Sequence, residues 1–251
     1  MDRILVIRLK GGLGNQLFQY AIVRRIQLSC NVKIFIDLSN YNNYIYNLPP
    51  QLKFFRGSEN VVFFTFHNKH LSFLKIGYQL AKYLNVFLSD SLKFYVREPE
   101  GFKREILKSS KFHPFRILDG IFGHESYFST IQNYLSEELL LHDEIHQLFD
   151  TDELFSKYSE KALDKETWAI HFRAYYETRT ESDLWINDPN HYVNYYKKAF
   201  RLLKSNYTPK HILIFSDHAE TFIRRFPEIQ DFSYEIVKPT QIQSKVLTSH
   251  G

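Results

Sequence analysis

The first 37 residues constrain the fold of this chain most, because an apolar run, a knot of glycines and a helical periodicity follow one another without a gap. Ile4 to Leu9 is a short apolar run stopped by Gly11 and Gly12, which predicts a strand buried on both faces. Leu17, Phe18, Ala21, Ile22 and Ile26 then recur at helical spacing, with Arg24 and Arg25 on other faces and Asn15 where an N-cap belongs. Val32 to Ile36 forms a second strand, ended by Asp37. Strand, helix and strand in this order are half of a Rossmann-like parallel layer.

A second α/β set begins near residue 167. Trp168-Ala169-Ile170 reads as a buried strand leading to His171 and Arg173. His191 to Lys204 follows as a helix with Tyr195, Ala199 and Leu202 on one face, and His211 to Phe215 as a strand ending in Ser216-Asp217. A short helix and a last strand, Tyr234 to Val237, close the pattern. Between the sets, Pro49-Pro50 breaks the chain, and His70 to Leu84 reads as an amphipathic helix flanked by Lys75 and Lys82. Residues 125 to 150 are helical and acidic in composition. These features predict two domains, 1–163 and 164–251.

Composition narrows the class without naming a reaction. Apolar residues make up 44% of the chain, enough for a packed core, and most of the Phe and Tyr that bring aromatics to 17% belong there. The single cysteine, Cys30, excludes an internal disulfide and suits a reducing compartment. A formal charge of +4 favours anionic partners such as nucleotide-sugars or lipid head groups. Neither a signal peptide nor an apolar run of about 20 residues is visible, so the expectation is a cytoplasmic protein that binds no nucleic acid.

Glycines between a strand and a helix let the backbone approach a ligand closely, and the helix N-terminus offers N–H groups and partial positive charge to an anion. The run from Gly11 to Asn15 therefore suits phosphate or diphosphate. A tight turn and a dinucleotide loop are the alternatives. The dinucleotide pattern wants a third glycine where Leu17 stands, the Walker pattern is absent, and Asp37 occupies the place of a ribose-binding acid.

The eleven residues Gly11 to Ala21 resemble the N-terminal signature of the bacterial α-1,2-fucosyltransferases of glycosyltransferase family 11. Weaker similarities follow in the family's order. Gly123 to Phe128 resembles its F-Q-S-E-K-Y-F segment, and Trp168 to Arg173 resembles the strand leading into H-x-R-R-x-D. Asn194 to Phe200 is similar to its Y-Y-K-K-A-I helix, and Phe215-Ser216-Asp217 to its F-S-D-D strand end.

The resemblance implies a GT-B-like α/β fold, two Rossmann-like domains facing a cleft, and inverting transfer of fucose from GDP-fucose to a sugar hydroxyl without a metal ion or other cofactor. It implies donor contacts from Gly11, Gly12, Gly14, Asn15, Gln16, Ser216 and Asp217. Arg173, aided by His171, would stabilise charge growing on the departing diphosphate. The acceptor would be a glycan, free or lipid-linked, the latter met at the membrane face with His70 to Leu84 in contact.

The chain departs from the family at four points, one of them His218 in the last place of F-S-D-D. Ala174 and Tyr176 stand where the motif has its second arginine and its aspartate. No Ser/Trp-rich donor segment precedes Gly251, so against the resemblance the second domain is about 40 residues short and lacks helices for one sheet face. These departures predict weak turnover.

Overall fold

The computed structural model describes residues 3–41, 50–65, 76, 79–81, 83–85, 93–107, 115–172, 189–206, 208–216 and 219–238. The chain divides into two compact units, Met1–Ile145 and His146–Gly251.

The first unit is built on five parallel strands in the order β3-β2-β1-β5-β4. These are β1 (Arg3–Arg8), β2 (Val32–Asp37), β3 (Val62–Phe64), β4 (Tyr95–Arg97) and β5 (Phe115–Asp119). β1 lies at the centre, paired with β2 from Arg3↔Val32 to Arg8↔Asp37 and with β5 from Ile4↔Phe115 to Ile7↔Leu118. That position explains its unbroken apolar run, since Leu5, Val6 and Ile7 are all buried against covering layers on both faces.

Helix α1 (Leu13–Cys30) covers one face, with Tyr20, Ile22, Val23 and Ile26 in the core with Leu5, Ile7, Ile34 and Leu118. On the other face Val6 and Ile117 meet Phe64 and Ala81. Ala81 belongs to the stretch read as an amphipathic helix from His70 to Leu84, most of which lies outside the described residues.

Two sequence expectations for α1 change. The helix starts at Leu13, capped by extended Gly12, whose carbonyl accepts Gln16 N at 3.1 Å; Asn15 is already inside the first turn. Arg24 is buried rather than outward. Its Nε gives a hydrogen bond to Glu138 Oε2 at 2.8 Å and Nη2 reaches Oε1, while Tyr20 Oη donates to the same carboxylate at 2.7 Å. Desolvation alone would lower the Arg24 pKa, but Glu138 outweighs it and raises the value. The partner lies over a hundred residues away, out of reach of helical periodicity. Glu138 is carried by α2 (Gln132–Glu138), after which α3 (Asp143–Asp150) spans the division between units.

The second unit contains a parallel sheet in the order β6-β7-β8, formed by Thr167–Phe172, His211–Ser216 and Tyr234–Ile236. Helices α5 (Pro189–Asn206) and α6 (Ala219–Arg225) cover one face with an aromatic cluster. There Phe172, Tyr196, Phe222 and Phe226 stand with ring centroids 5.0–6.2 Å apart. The buried stripe of α5 is Tyr196, Phe200 and Leu203, one residue on from the expected Tyr195, Ala199 and Leu202. Two stripes at the same spacing run side by side, and the larger Phe200 wins the core. β6 also differs from expectation, because Trp168, Ala169 and His171 are exposed at the sheet edge.

Helix α4 (Glu153–Leu163) belongs with the second sheet. Tyr158 Oη donates to Ile236 O at 3.3 Å, and Lys157 and Lys161 both pair with Glu235. The division between units therefore falls after Ile145, ahead of the boundary read near 164.

Candidate functional site

The order of strands in the first sheet fixes where a ligand can approach. From β1 the chain crosses to β2 on one side, while β5 flanks β1 on the other. At such a switch point the loops leave in opposite directions and open a crevice beyond the C-terminal strand ends. The glycine loop follows β1 at this place.

Its three glycines have different reasons to be glycine. Gly11 has φ +81°, and a Cβ there would lie 2.3 Å from Asn15 Nδ2 and 2.9 Å from Asn15 Cβ. Gly12 and Gly14 are exposed, and a Cβ on either would meet nothing within 4 Å. Packing does not demand glycine at these two positions, whereas close approach of a ligand would. No side chain caps the N-terminus of α1 and its first turn carries no acid, so the anion-attracting end of an 18-residue helix is left open.

The two glutamines of the same run hold the loop rigid. Gln19, fully buried, accepts from Lys10 N at 3.0 Å and donates to Lys10 O at 2.8 Å and Asn15 O at 2.9 Å. Gln16 donates to Gly11 O at 3.2 Å and Tyr41 Oη at 3.0 Å, and accepts from Gln51 N at 2.9 Å and Leu52 N at 3.0 Å. Both amide protons and both lone pairs of Gln16 are committed, so its side chain supports the loop and is not presented to a donor. The Asn15 side chain, half-buried behind Gly11, makes no hydrogen bond among the described residues and remains available.

Beneath the loop lies a charged floor not anticipated from the sequence. Arg8 reaches Asp119 at 3.1 Å, Asn40 at 3.2 Å and Asp37 at 3.6 Å, and Lys10 Nζ reaches Asp119 at 3.3 Å. Burial pushes the Asp119 carboxyl up, but a hydrogen bond from Tyr95 and the charges of Arg8 and Lys10 outweigh it and hold the pKa below the ordinary value. Alternating polarity at β1, β2 and β5 ends was the available signal, hidden because each residue reads singly as a strand terminus. Asp37 is 1% exposed and spends one oxygen on Ser39 N at 2.9 Å. It is therefore not offered to a ribose, which removes the main support for a dinucleotide loop.

The segment Gly123 to Phe128 comes back to this loop. Phe128 meets Phe18 at a centroid distance of 5.6 Å, and Gly123 also faces the Phe18 ring. Glu98 fixes the approach by accepting from Ile121 N and Phe122 N, both at 2.6 Å. Two of the stretches that carry the family resemblance thus touch in space.

In the second unit His171 is exposed on the β6 edge, not a satisfied core histidine, and its imidazole makes no hydrogen bond among the described residues. Its carbonyl accepts from Tyr196 Oη at 2.6 Å, which ties the end of β6 to α5. The register pairs His171 with Phe215 and Phe172 with Ser216, so His171 and Ser216 stand on opposite faces of neighbouring strands. Arg173 and Asp217 lie outside the described residues.

One Asp-x-Asp sequence, Asp150-Thr151-Asp152, has the form of a metal-binding pair. Its acids are otherwise engaged: Asp152 caps α4 by accepting from Phe155 N at 2.9 Å, and Asp150 pairs with His146 at 3.1 Å.

Neither a protein-family model nor a curated protein matches this sequence. Solved structures of similar fold do match. Fucosyltransferase NodZ from Bradyrhizobium aligns over 99% of this chain and 82% of its own, at 12% identity and TM-score 0.50. NodZ α-1,6-fucosyltransferase co-crystallised with GDP aligns over 98% and 81%, also at 12% and 0.50. A variant of Arabidopsis thaliana FUT1 in complex with GDP aligns over 95% of this chain and 60% of that one, at 12% identity and TM-score 0.50. The fold is GT-B-like, two Rossmann-like α/β units in one chain, as found among fucosyltransferases.

Proposed function

We propose that this chain binds GDP-fucose and transfers fucose to a sugar hydroxyl, as an α-1,2-fucosyltransferase of the family 11 type, with inversion and without a metal ion. The observation that carries the diphosphate part is the open pair Gly12 and Gly14 at the uncapped N-terminus of α1, on the switch point of the first sheet. Guanine and fucose are supported by the resemblance, and by NodZ and FUT1 structures of like fold holding GDP. The acceptor is a glycan, free or lipid-linked, the latter met at the cytoplasmic face of a membrane.

Breaking the bond between fucose and diphosphate leaves negative charge on the departing phosphate. Backbone N–H groups of the glycine loop and the Asn15 amide supply fixed donors for the diphosphate, and Arg173 supplies a permanent cation for the charge that develops. Tyr196 holds the strand end two residues ahead of Arg173. A second reading, binding of the nucleotide-sugar without turnover, is favoured by Ala174 and Tyr176 in place of the family's arginine and aspartate.

The test is release of GDP from GDP-fucose, in EDTA, with a panel of terminal galactosides, for the chain and for Arg173→Ala. Slow acceptor-dependent release that falls about 10²–10³-fold in Arg173→Ala supports transfer. Saturable GDP binding with no release supports the second reading. Release that needs added manganese would contradict the metal-free mechanism.

A further inference from the structure

The loop that follows β5 is held in a costly shape. Phe122 has φ +57°, a left-handed conformation that a bulky side chain rarely takes. Its ring is fully buried edge-on against Tyr127, 5.8 Å away with 86° between the ring planes, while Glu98 accepts from its N–H and from that of Ile121. Strain of this kind persists only where the surroundings impose it, and it gathers at ligand sites. The residues it delivers, Gly123 and His124, are exposed.

They complete a row of rings open to solvent. Phe18 and Phe102 are each 37% exposed. Phe18 stands one helical turn after Gly14, so the two share a face of α1. A Cβ on Gly123 would meet the Phe18 ring at 3.8 Å, an ordinary contact, so glycine leaves that ring uncovered. The next side chain, the imidazole of His124, lies 5.5 Å from the Phe102 ring and within 30° of parallel. Tyr127 locks both from beneath: its buried ring is 4.9 Å from Phe102 and 6.3 Å from His124. Its hydroxyl accepts from Lys103 N at 3.0 Å and donates to Gly101 O at 3.4 Å, the backbone on either side of Phe102.

His124 adds a polar edge of known sense. Its Nδ1 accepts from Ser126 N at 3.2 Å, so in the neutral ring the proton sits on Nε2. That N–H has no partner among the described residues. Rings fixed by a buried hub but left with a free face suit a ligand that is apolar on one side and polar at its rim. A pyranose has this form, and the axial hydroxyl of galactose leaves one ring face lined by C–H groups, which the negative face of an aromatic ring attracts.

We propose that Phe18, Phe102 and His124 form the platform on which the terminal sugar of the acceptor stacks, a β-galactoside, with one hydroxyl accepting from His124 Nε2. The assignment to an acceptor rests on the fucosyl-transfer reading. Gly14 and Phe18 are about 6 Å apart along the helix axis, so a sugar on Phe18 lies beside a diphosphate on the glycine loop.

Lactose and sorbitol are titrated by saturation-transfer NMR, in excess GDP, into the wild-type chain, Phe102→Ala and Gly123→Leu. The first variant removes a ring and the second covers Phe18 without removing one. GDP is titrated calorimetrically into all three, which also reports that each is folded. Lactose is expected to saturate the wild-type chain and sorbitol, with hydroxyls but no ring, to leave it unoccupied. Both substitutions should weaken lactose at least tenfold and leave GDP affinity unchanged. No lactose binding, equal binding of sorbitol, or lactose binding indifferent to both substitutions overturns the platform. So does loss of lactose and GDP together in both variants, which would be a collapse of the loops. If lactose follows the expected pattern and GDP does not bind, the platform stands as a saccharide site and the transfer reading falls.

Discussion

Replacing Gly14 by alanine separates what the fold needs from what a ligand needs. Gly14 is the second residue of α1, and a Cβ built there meets nothing within 4 Å. With no clash to relieve, alanine narrows the unfolded ensemble and favours the helix, so the variant should gain about 0.4–1 kcal/mol of stability. For a chain of this size that is a rise in melting temperature of about 1–4 °C. The same methyl group occupies the open space a phosphate oxygen needs to reach the N–H groups of the first turn. A displaced charge-assisted hydrogen bond costs about 1.5–3 kcal/mol, so GDP affinity should fall about tenfold or more. Differential scanning fluorimetry and calorimetric titration on one preparation read both quantities. Gly11→Ala serves as contrast: its positive φ and the close Asn15 side chain predict loss of stability and binding together. A stabilised Gly14→Ala that binds GDP like wild type would refute the claim that this loop faces the ligand.

Other substitutions probe the supports around the sites. Gln16→Ala should cost about 2–6 kcal/mol in urea unfolding, because the carbonyl of Gly11 and the N–H groups of Gln51 and Leu52 lose a buried partner. Tyr196→Phe removes the bond to His171 O and should cost only about 0.5–1.5 kcal/mol of stability. Its larger effect should fall on the transfer rate, restored by no increase in donor concentration. Lys157 and Lys161 hold the Glu235 carboxyl at about 2, below its ordinary 4.5. The folded state therefore binds fewer protons than the unfolded one across that window, so stability is present above pH 4.5 and lost as pH falls toward 2. Acid titration of Glu235→Gln, followed by circular dichroism, should show a shallower loss over the same interval.

Much of the fold was legible because its strongest signals are local. The glycine loop, the strands on either side of α1 and the second α/β set all follow from runs and periods within about twenty residues. What failed depends on partners distant in the chain. Arg24 looks like a surface residue until Glu138 is brought against it, and the Arg8, Lys10 and Asp119 cluster exists only once β1 and β5 are neighbours. The face of α5 is ambiguous by one position in the sequence because Tyr195 and Tyr196 begin two stripes of equal spacing, and only packing against Phe222 and Phe226 chooses between them. Within the candidate site, Gly12 and Gly14 are open in the structure, as a loop that a ligand approaches closely would be. Gln16 falls beside them in the run, but its amide is wholly used in holding the loop, through partners that the run itself does not show.

The most direct test of the whole account is the thermal response of the chain to GDP, GDP-fucose, UDP-glucose and NAD, alongside Arg173→Ala. A ligand at a hundred times its dissociation constant stabilises the folded state by about 2.7 kcal/mol, enough for a clear shift in melting temperature. The account predicts that GDP and GDP-fucose raise the melting temperature of the wild-type chain, that UDP-glucose and NAD leave it unmoved, and that Arg173→Ala melts like wild type but no longer responds. Stabilisation by NAD equal to that by GDP, or an undiminished GDP response in Arg173→Ala, would contradict it.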